Sequence, residues 1–221
     1  LLMQWQDEML NLLDMPSAYW DGRQWIDEQG IAHAANGNKP LKKCPRRVGI
    51  ISQGLIIHGG EMVQSLLELE YECVIVDESH RARRKNLRKD AENEEPDPNN
   101  LMKFLLRLAR RTKSFLLATA TPVQLYPVEA FDLLEILSQG NDAVLGNEFS
   151  RWRMDKAYTL RLVQGLEQPP DELYILWDWL RNPMPPSSEN EKVFGVIRRR
   201  LNMKNQQSVA EGSRIDQLTQ A

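Results

Sequence analysis

The chain has 221 residues, 42% hydrophobic and 27% charged, which is enough to bury one ordinary core with a smaller appendage. Its 28 basic and 31 acidic residues leave a net charge of −3, so no global field draws it to DNA or to an anionic membrane, and any nucleic-acid contact must be local. No apolar run approaches the ~20 residues that span a bilayer and no basic-then-apolar export signal opens the chain, so the expected setting is intracellular, cytoplasmic or nuclear.

In chain order, Trp5, Met9, Leu12 and Leu13 recur at helical spacing and predict a helix over 3–13. Residues 14–47 read as an insertion with a small hairpin, because Tyr19-Trp20 and Gln24-Trp25 flank the turn dipeptide Asp21-Gly22. Val48 to Ser52 is a strand candidate, and Met62, Val63, Leu66 and Leu67 give the next helix. Cys73-Val74-Ile75-Val76 runs apolar without alternation, as suits a parallel strand covered on both faces. Cys73 there reads as a small hydrophobe, and with Cys44 in an unlike setting neither a disulfide framework nor a thiolate metal site is expected. A basic run, Arg81 to Lys89, and an acidic one, Asp90 to Asp97, form a solvated loop. Leu101, Leu105 and Leu108 restart a helix, Ser114 to Ala118 gives a third strand, and Pro127 opens a helix carrying Val128, Phe131, Leu134 and Leu137.

Strand and helix in turn predict an α/β fold with a parallel sheet over 1–138. Past 139 the strand signal stops. A helical extension, 139–221, is expected there, with helices at 154–165 and 171–181, a break at Pro183, Pro185 and Pro186, a last helix opened by Ser188 and Glu191, and a frayed tail.

The chemistry gathers where two strands end. Val76 runs into Asp77-Glu78-Ser79-His80, two adjacent carboxylates at the carboxyl edge of a parallel strand, where ligands collect in open α/β sheets. Such a pair can divide labour: Asp77 binds a hard cation such as magnesium, and Glu78 orients and deprotonates a water. An isolated Asp-Glu after a strand is more often a cap or a solvated turn. Here a second strand, Phe115 to Ala118, runs into Thr119-Ala120-Thr121-Pro122.

Asp77-Glu78-x-His80 followed by Thr119-Ala120-Thr121-Pro122 resembles motifs II and III of the superfamily two helicases. The flanks resemble the Swi/Snf-like branch: Gln4-Trp5-Gln6-Asp7-Glu8 its motif Ia, Ile51-Ser52-Gln53-Gly54-Leu55-Ile56 its motif Ib, and Gln124 with Glu129-Ala130-Phe131-Asp132-Leu133-Leu134 the segment after motif III. The resemblance covers residues 1–138. It implies part of the first RecA-like lobe of a DNA-dependent ATPase that moves along double-stranded DNA, with ATP and magnesium as cofactors and a second motor lobe as partner. It gives Asp77 the metal, Glu78 the water, and His80, Thr119 and Thr121 the coupling of the nucleotide site to the nucleic-acid path. Gln4, Ser52 and Gly54 would face a DNA strand, where hydroxyls and amides at helix starts bind phosphate, while Trp5 packs in the core. Arg81, Arg83, Arg84, Lys85, Arg88 and Lys89 either touch a DNA backbone or form a solvated loop.

The sequence departs from the family pattern in three ways. Ser79 stands where alanine or glycine is commoner, and the run from Arg81 to Asn86 is longer than usual. No Gly-x-x-x-x-Gly-Lys-Ser/Thr occurs, although that loop holds the phosphates in these motors. The expectation is a segment of a longer ATPase, inactive by itself. Two other classes stay open: a non-catalytic interaction module that keeps the lobe's fold, and an unrelated α/β hydrolase using Asp77 and Glu78 for another metal-dependent reaction.

Overall fold

In the computed structural model, the residues described are 1–89, 94–146, 150–171, 175 and 179. The chain divides into two compact units, one of Leu1–Lys85 with Pro98–Thr119, the other of Asn86–Asp97 with the residues from Ala120 on.

The first unit opens with helix α1, Leu2–Leu13, which ends on Asp14 in the left-handed conformation (φ 52°). There the amides of Asp14 and Met15 return to the carbonyls of Leu10 and Met9, so the last turn is closed by its own backbone. The insertion folds as a meander of β1, Ser17–Trp20, β2, Trp25–Asp27, and β3, Ala32–His33. Its first turn works because the Asp21 carboxylate accepts from the amides of Arg23 (2.7 Å) and Gln24 (2.8 Å), closing the hairpin that pairs Trp20 with Trp25. The two indoles meet edge to face, centroids 5.5 Å apart, and both are buried. Gln6 ties α1 to this sheet, its amide donating to the carbonyls of Ser17 (2.9 Å) and Ile26 (3.1 Å).

Strand β4, Val48–Ile50, pairs parallel with β1, which completes a four-stranded sheet in the order β3-β2-β1-β4. That sheet is mixed, and it corrects the expectation that the strand at Val48 belongs to one parallel sheet with the two later strands. The reason lies at Gly49. A Cβ there would stand 3.2 Å from Cys44 Sγ and from the Trp25 ring, tight enough that those side chains would have to give by a few tenths of an ångström, so glycine lets β4 lie close to the insertion's core.

The later strands, β5, Tyr71–Val76, and β6, Thr112–Leu117, form a separate parallel pair with Val74 opposite Phe115. Between β4 and β5 lie the short helices α2, Gln53–His58, and α3, Glu61–Gln64, the latter running into a 3-10 turn at Ser65–Glu68. Helix α4, Asn100–Ala109, makes the crossover from β5 to β6 that a parallel pair requires. Asn99 caps it by accepting from the Met102 amide (2.9 Å), and Leu101, Met102, Phe104, Leu105 and Leu108 are buried, each such side chain contributing about 1.5–3 kcal/mol. α2 packs against α4, where the Asn100 amide donates to the Ile57 carbonyl (2.8 Å).

The expectation that Cys73–Val76 is covered on both faces is also corrected. Cys73 is exposed and Ile75 is 44% exposed, as is Leu116 across the ladder at 54%, because no further layer of the described residues covers that side of a two-stranded sheet. Both cysteines are free, and only Cys44 is partly buried, which pushes its thiol up.

The second unit is built on α5, Val128–Leu137, α6, Asp142–Leu145, α7, Arg151–Met154, and α8, Lys156–Val163. Val128, Phe131, Leu145 and Leu160 form its core, flanked by Leu87, Tyr126, Val144 and Trp152. Lys156 Nζ lies 4.5 Å from the centre of the Phe131 ring and 3.5 Å from buried Asp132. The helices expected at 171–181 and toward Leu201, and the proline break, lie outside the described residues apart from Asp171, Ile175 and Trp179. Among the described residues no helix is long and apolar enough to cross a membrane.

Candidate functional site

Where β5 ends at Val76, the chain turns sharply through Asp77 and Glu78. Glu78 takes the left-handed conformation (φ 47°, ψ 44°), a geometry that glutamate adopts only at a cost of about 1–2 kcal/mol. A 3-10 turn, Ser79–Arg81, follows. Such strain persists only where surrounding bonds over-determine it.

Here the bonds come from three directions. Asp77 Oδ1 accepts from the Glu78 amide (2.9 Å), the Ser79 amide donates to the Ala118 carbonyl (2.9 Å), and the Ala118 amide returns to the Val76 carbonyl (2.8 Å). The third comes from α2, where the Gln53 side-chain amide donates to the Asp77 carbonyl. The parallel ladder thus continues one step past both strands and brings the ends of β5 and β6 together.

On that platform His80 Nδ1 lies 3.0 Å from Thr119 Oγ1 and 3.2 Å from Glu78 Oε2. A carboxylate can only accept, so the Nδ1-protonated ring satisfies this arrangement. The Glu78 side chain is 56% exposed, and Asp77 is half-buried, its Oδ2 making no hydrogen bond with the described residues. No group of three or more His, Cys, Asp or Glu among the described residues could hold a metal. The free Asp77 oxygen fits magnesium in the manner that ion prefers, through one carboxylate with waters and phosphate completing the shell.

The structure brings Asp77, Glu78, His80 and Thr119 together. Ser52 and Gly54 adjoin the same turn through Gln53, but the Ser52 hydroxyl is engaged as the N-cap of α2, accepting from the Gly54 amide at 3.2 Å. Gln4 is exposed on α1 and its amide bonds Glu8 (3.1 Å). Thr121 is exposed and belongs to the second unit. In the basic run Arg84 is buried, 1% exposed, while Arg81, Arg83, Lys85, Arg88 and Lys89 are exposed, Arg88 in a pair with Glu94. Ser79 is fully buried and its hydroxyl meets no partner among the described residues, so only a small side chain fits there, whatever its polarity.

Two residues escaped the sequence reading. Gln53 sits between a serine and a glycine, and nothing in the sequence signals that its side chain reaches 24 positions along the chain. Glu129 accepts from the amides of Gln124, Leu125 and Tyr126 at 3.0, 2.6 and 2.9 Å, holding the segment before α5. Its position two residues after Pro127, in the first turn of a helix, is where a carboxylate favours free amides. Protein-family models and curated proteins give no match to the chain.

Proposed function

We propose that this chain is part of the first RecA-like lobe of an ATP-driven motor that moves along double-stranded DNA. The observation that carries the reading is the joined end of two parallel strands, where Asp77 and Glu78 on one meet Thr119 on the other through His80. Glu78, whose side chain is open to solvent, orients a water and takes its proton as that water attacks the terminal phosphate of ATP. Asp77 would hold magnesium, which when bound offsets the charge of the phosphate oxygens. His80 and Thr119 carry the nucleotide state toward the nucleic-acid path, with Thr121 beyond them. The phosphate-binding loop and a second lobe come from the rest of the motor. Gln4, Ser52 and Gly54 with the exposed cations Arg81, Arg83 and Lys85 lie along the DNA strand in this reading.

The test is steady-state ATP hydrolysis by the full-length protein with and without duplex DNA, together with displacement of a triplex strand. Hydrolysis that rises on adding duplex and drives displacement supports the motor. ATP-independent, metal-dependent hydrolysis of other esters would favour a different α/β hydrolase, and no hydrolysis at all would favour a non-catalytic module.

A further inference from the structure

We infer that Gln53 is a positioning residue for the Asp77–Glu78 turn, fixing the direction of both carboxylates from outside the strand that carries them. The inference rests on the proposed hydrolytic role of those carboxylates.

Three features converge on it. The first is the strained turn itself: Glu78 is held in a left-handed conformation, and the peptide that enters it carries the Asp77 carbonyl to which Gln53 donates. Rotating that peptide would swing Asp77 and Glu78 together, because the Glu78 amide is bonded to Asp77 Oδ1. The second is the chemistry of the amide. A carbonyl accepts only from a donor, so the Gln53 NH2 group must face Asp77, which leaves Gln53 Oε1 buried with no donor among the described residues. A half-satisfied buried amide is a poor contributor to stability, and local costs of this kind are tolerated where function needs the geometry. The third is the mounting. Gln53 is the first residue of α2, Ser52 caps that helix, and Asn100 fastens the far end of α2 to α4, so the amide is delivered from a braced element.

The experiment compares Gln53→Ala and Gln53→Glu with wild type in the full-length protein. Glutamate keeps the size of the side chain but presents an acceptor to the Asp77 carbonyl, so a role in packing alone would tolerate it. Both variants should lose about tenfold or more in the kcat of DNA-stimulated ATP hydrolysis, since small misplacements of reacting groups carry penalties of this order. KM for ATP, duplex affinity and Tm should stay near wild type. In the same samples, amide hydrogen exchange at Glu78 and Ser79 should quicken at least tenfold while the amides within β5 are unchanged. Wild-type kcat in either variant overturns the inference. So does a loss confined to Gln53→Ala, which would assign Gln53 to packing. If the wild-type protein hydrolyses no ATP, the functional reading fails instead, and the exchange measurement still decides whether Gln53 holds the turn: unchanged rates at Glu78 and Ser79 would show that it does not.

Discussion

His80 and Thr119, 39 positions apart in the chain, face each other at 3.0 Å across the ends of two parallel strands, and the same His80 nitrogen lies 3.2 Å from the Glu78 carboxylate. A single ring nitrogen thereby touches both the proposed water-activating group and the second residue past β6.

Replacing Glu78 with glutamine in the full-length protein keeps the shape of the side chain and removes the base. The Glu78→Gln variant should lose on the order of 10²-fold or more of its DNA-stimulated ATPase, with ATP and DNA binding retained. A turnover rate near wild type in a steady-state assay would take Glu78 out of the mechanism.

The 221-residue chain by itself should neither bind ATP tightly nor hydrolyse it, because positioning dominates phosphoryl transfer and its sequence contains no phosphate-cradling Gly-x-x-x-x-Gly-Lys-Ser/Thr. Titration with a labelled ATP analogue and magnesium checks this. Micromolar affinity with turnover would contradict it.

Much of the site was legible because its parts are local. The apolar runs at Val74–Val76 and Phe115–Leu117 are strands, each followed directly by its polar motif, and the turn at Asp21-Gly22 carries its own chemistry in the aspartate. Pairing was less legible. Nothing near Val48 says that its strand joins Ser17 rather than β5, since the choice depends on Trp25 packing against Gly49, 24 residues away in sequence. The Asp77 carbonyl bond of Gln53 escaped for the same reason, and so did the burial of Arg84 in a run that composition marks as solvated.

Acid should weaken the meander before it weakens the helices. Asp27 is buried, and the His33 imidazole at 2.7 Å holds its carboxyl below the usual range, helped by the amides of Ile31 and Gln29 and by Arg46. The Arg46 guanidinium likewise holds Glu28 low. A carboxyl whose pKa is depressed by folding contributes stability that is complete above its unfolded value, about 4, and is lost as pH falls through the folded one. The urea midpoint of wild type should therefore drop between about pH 7 and pH 3 more than that of Asp27→Asn. Equal drops would remove Asp27 from the acid response.

Glu129 is buried, and one of its oxygens accepts three amides from the loop that precedes α5. Glu129→Ala leaves those donors without their acceptor. The variant should lose about 2–3 kcal/mol of stability, and the amides of Gln124, Leu125 and Tyr126 should exchange faster. A loss below about 0.5 kcal/mol in urea unfolding would mean that water replaces the carboxylate at little cost.

Thr119→Ala should uncouple ATP hydrolysis from movement along DNA more than it reduces hydrolysis itself. The side chain removed is not one of the carboxylates: the Glu78 amide keeps its bond to the Asp77 carboxylate, the Ser79 amide keeps its bond to the Ala118 carbonyl, and His80 keeps its contact with Glu78. The bond from His80 to Thr119 is removed. A hydroxyl bond of this kind contributes about 1 kcal/mol, so the first unit should still fold. Thr119→Ser, which retains the hydroxyl, should restore coupling, and Thr121→Ala provides the comparison two residues further along the same segment. Triplex displacement and ATPase measured on the same duplex give the number of ATP molecules used per displacement. That number should rise several-fold in Thr119→Ala and return toward wild type in Thr119→Ser. A proportional fall in both activities, or an unchanged ratio, would reduce Thr119 to a cap on the turn before Pro122.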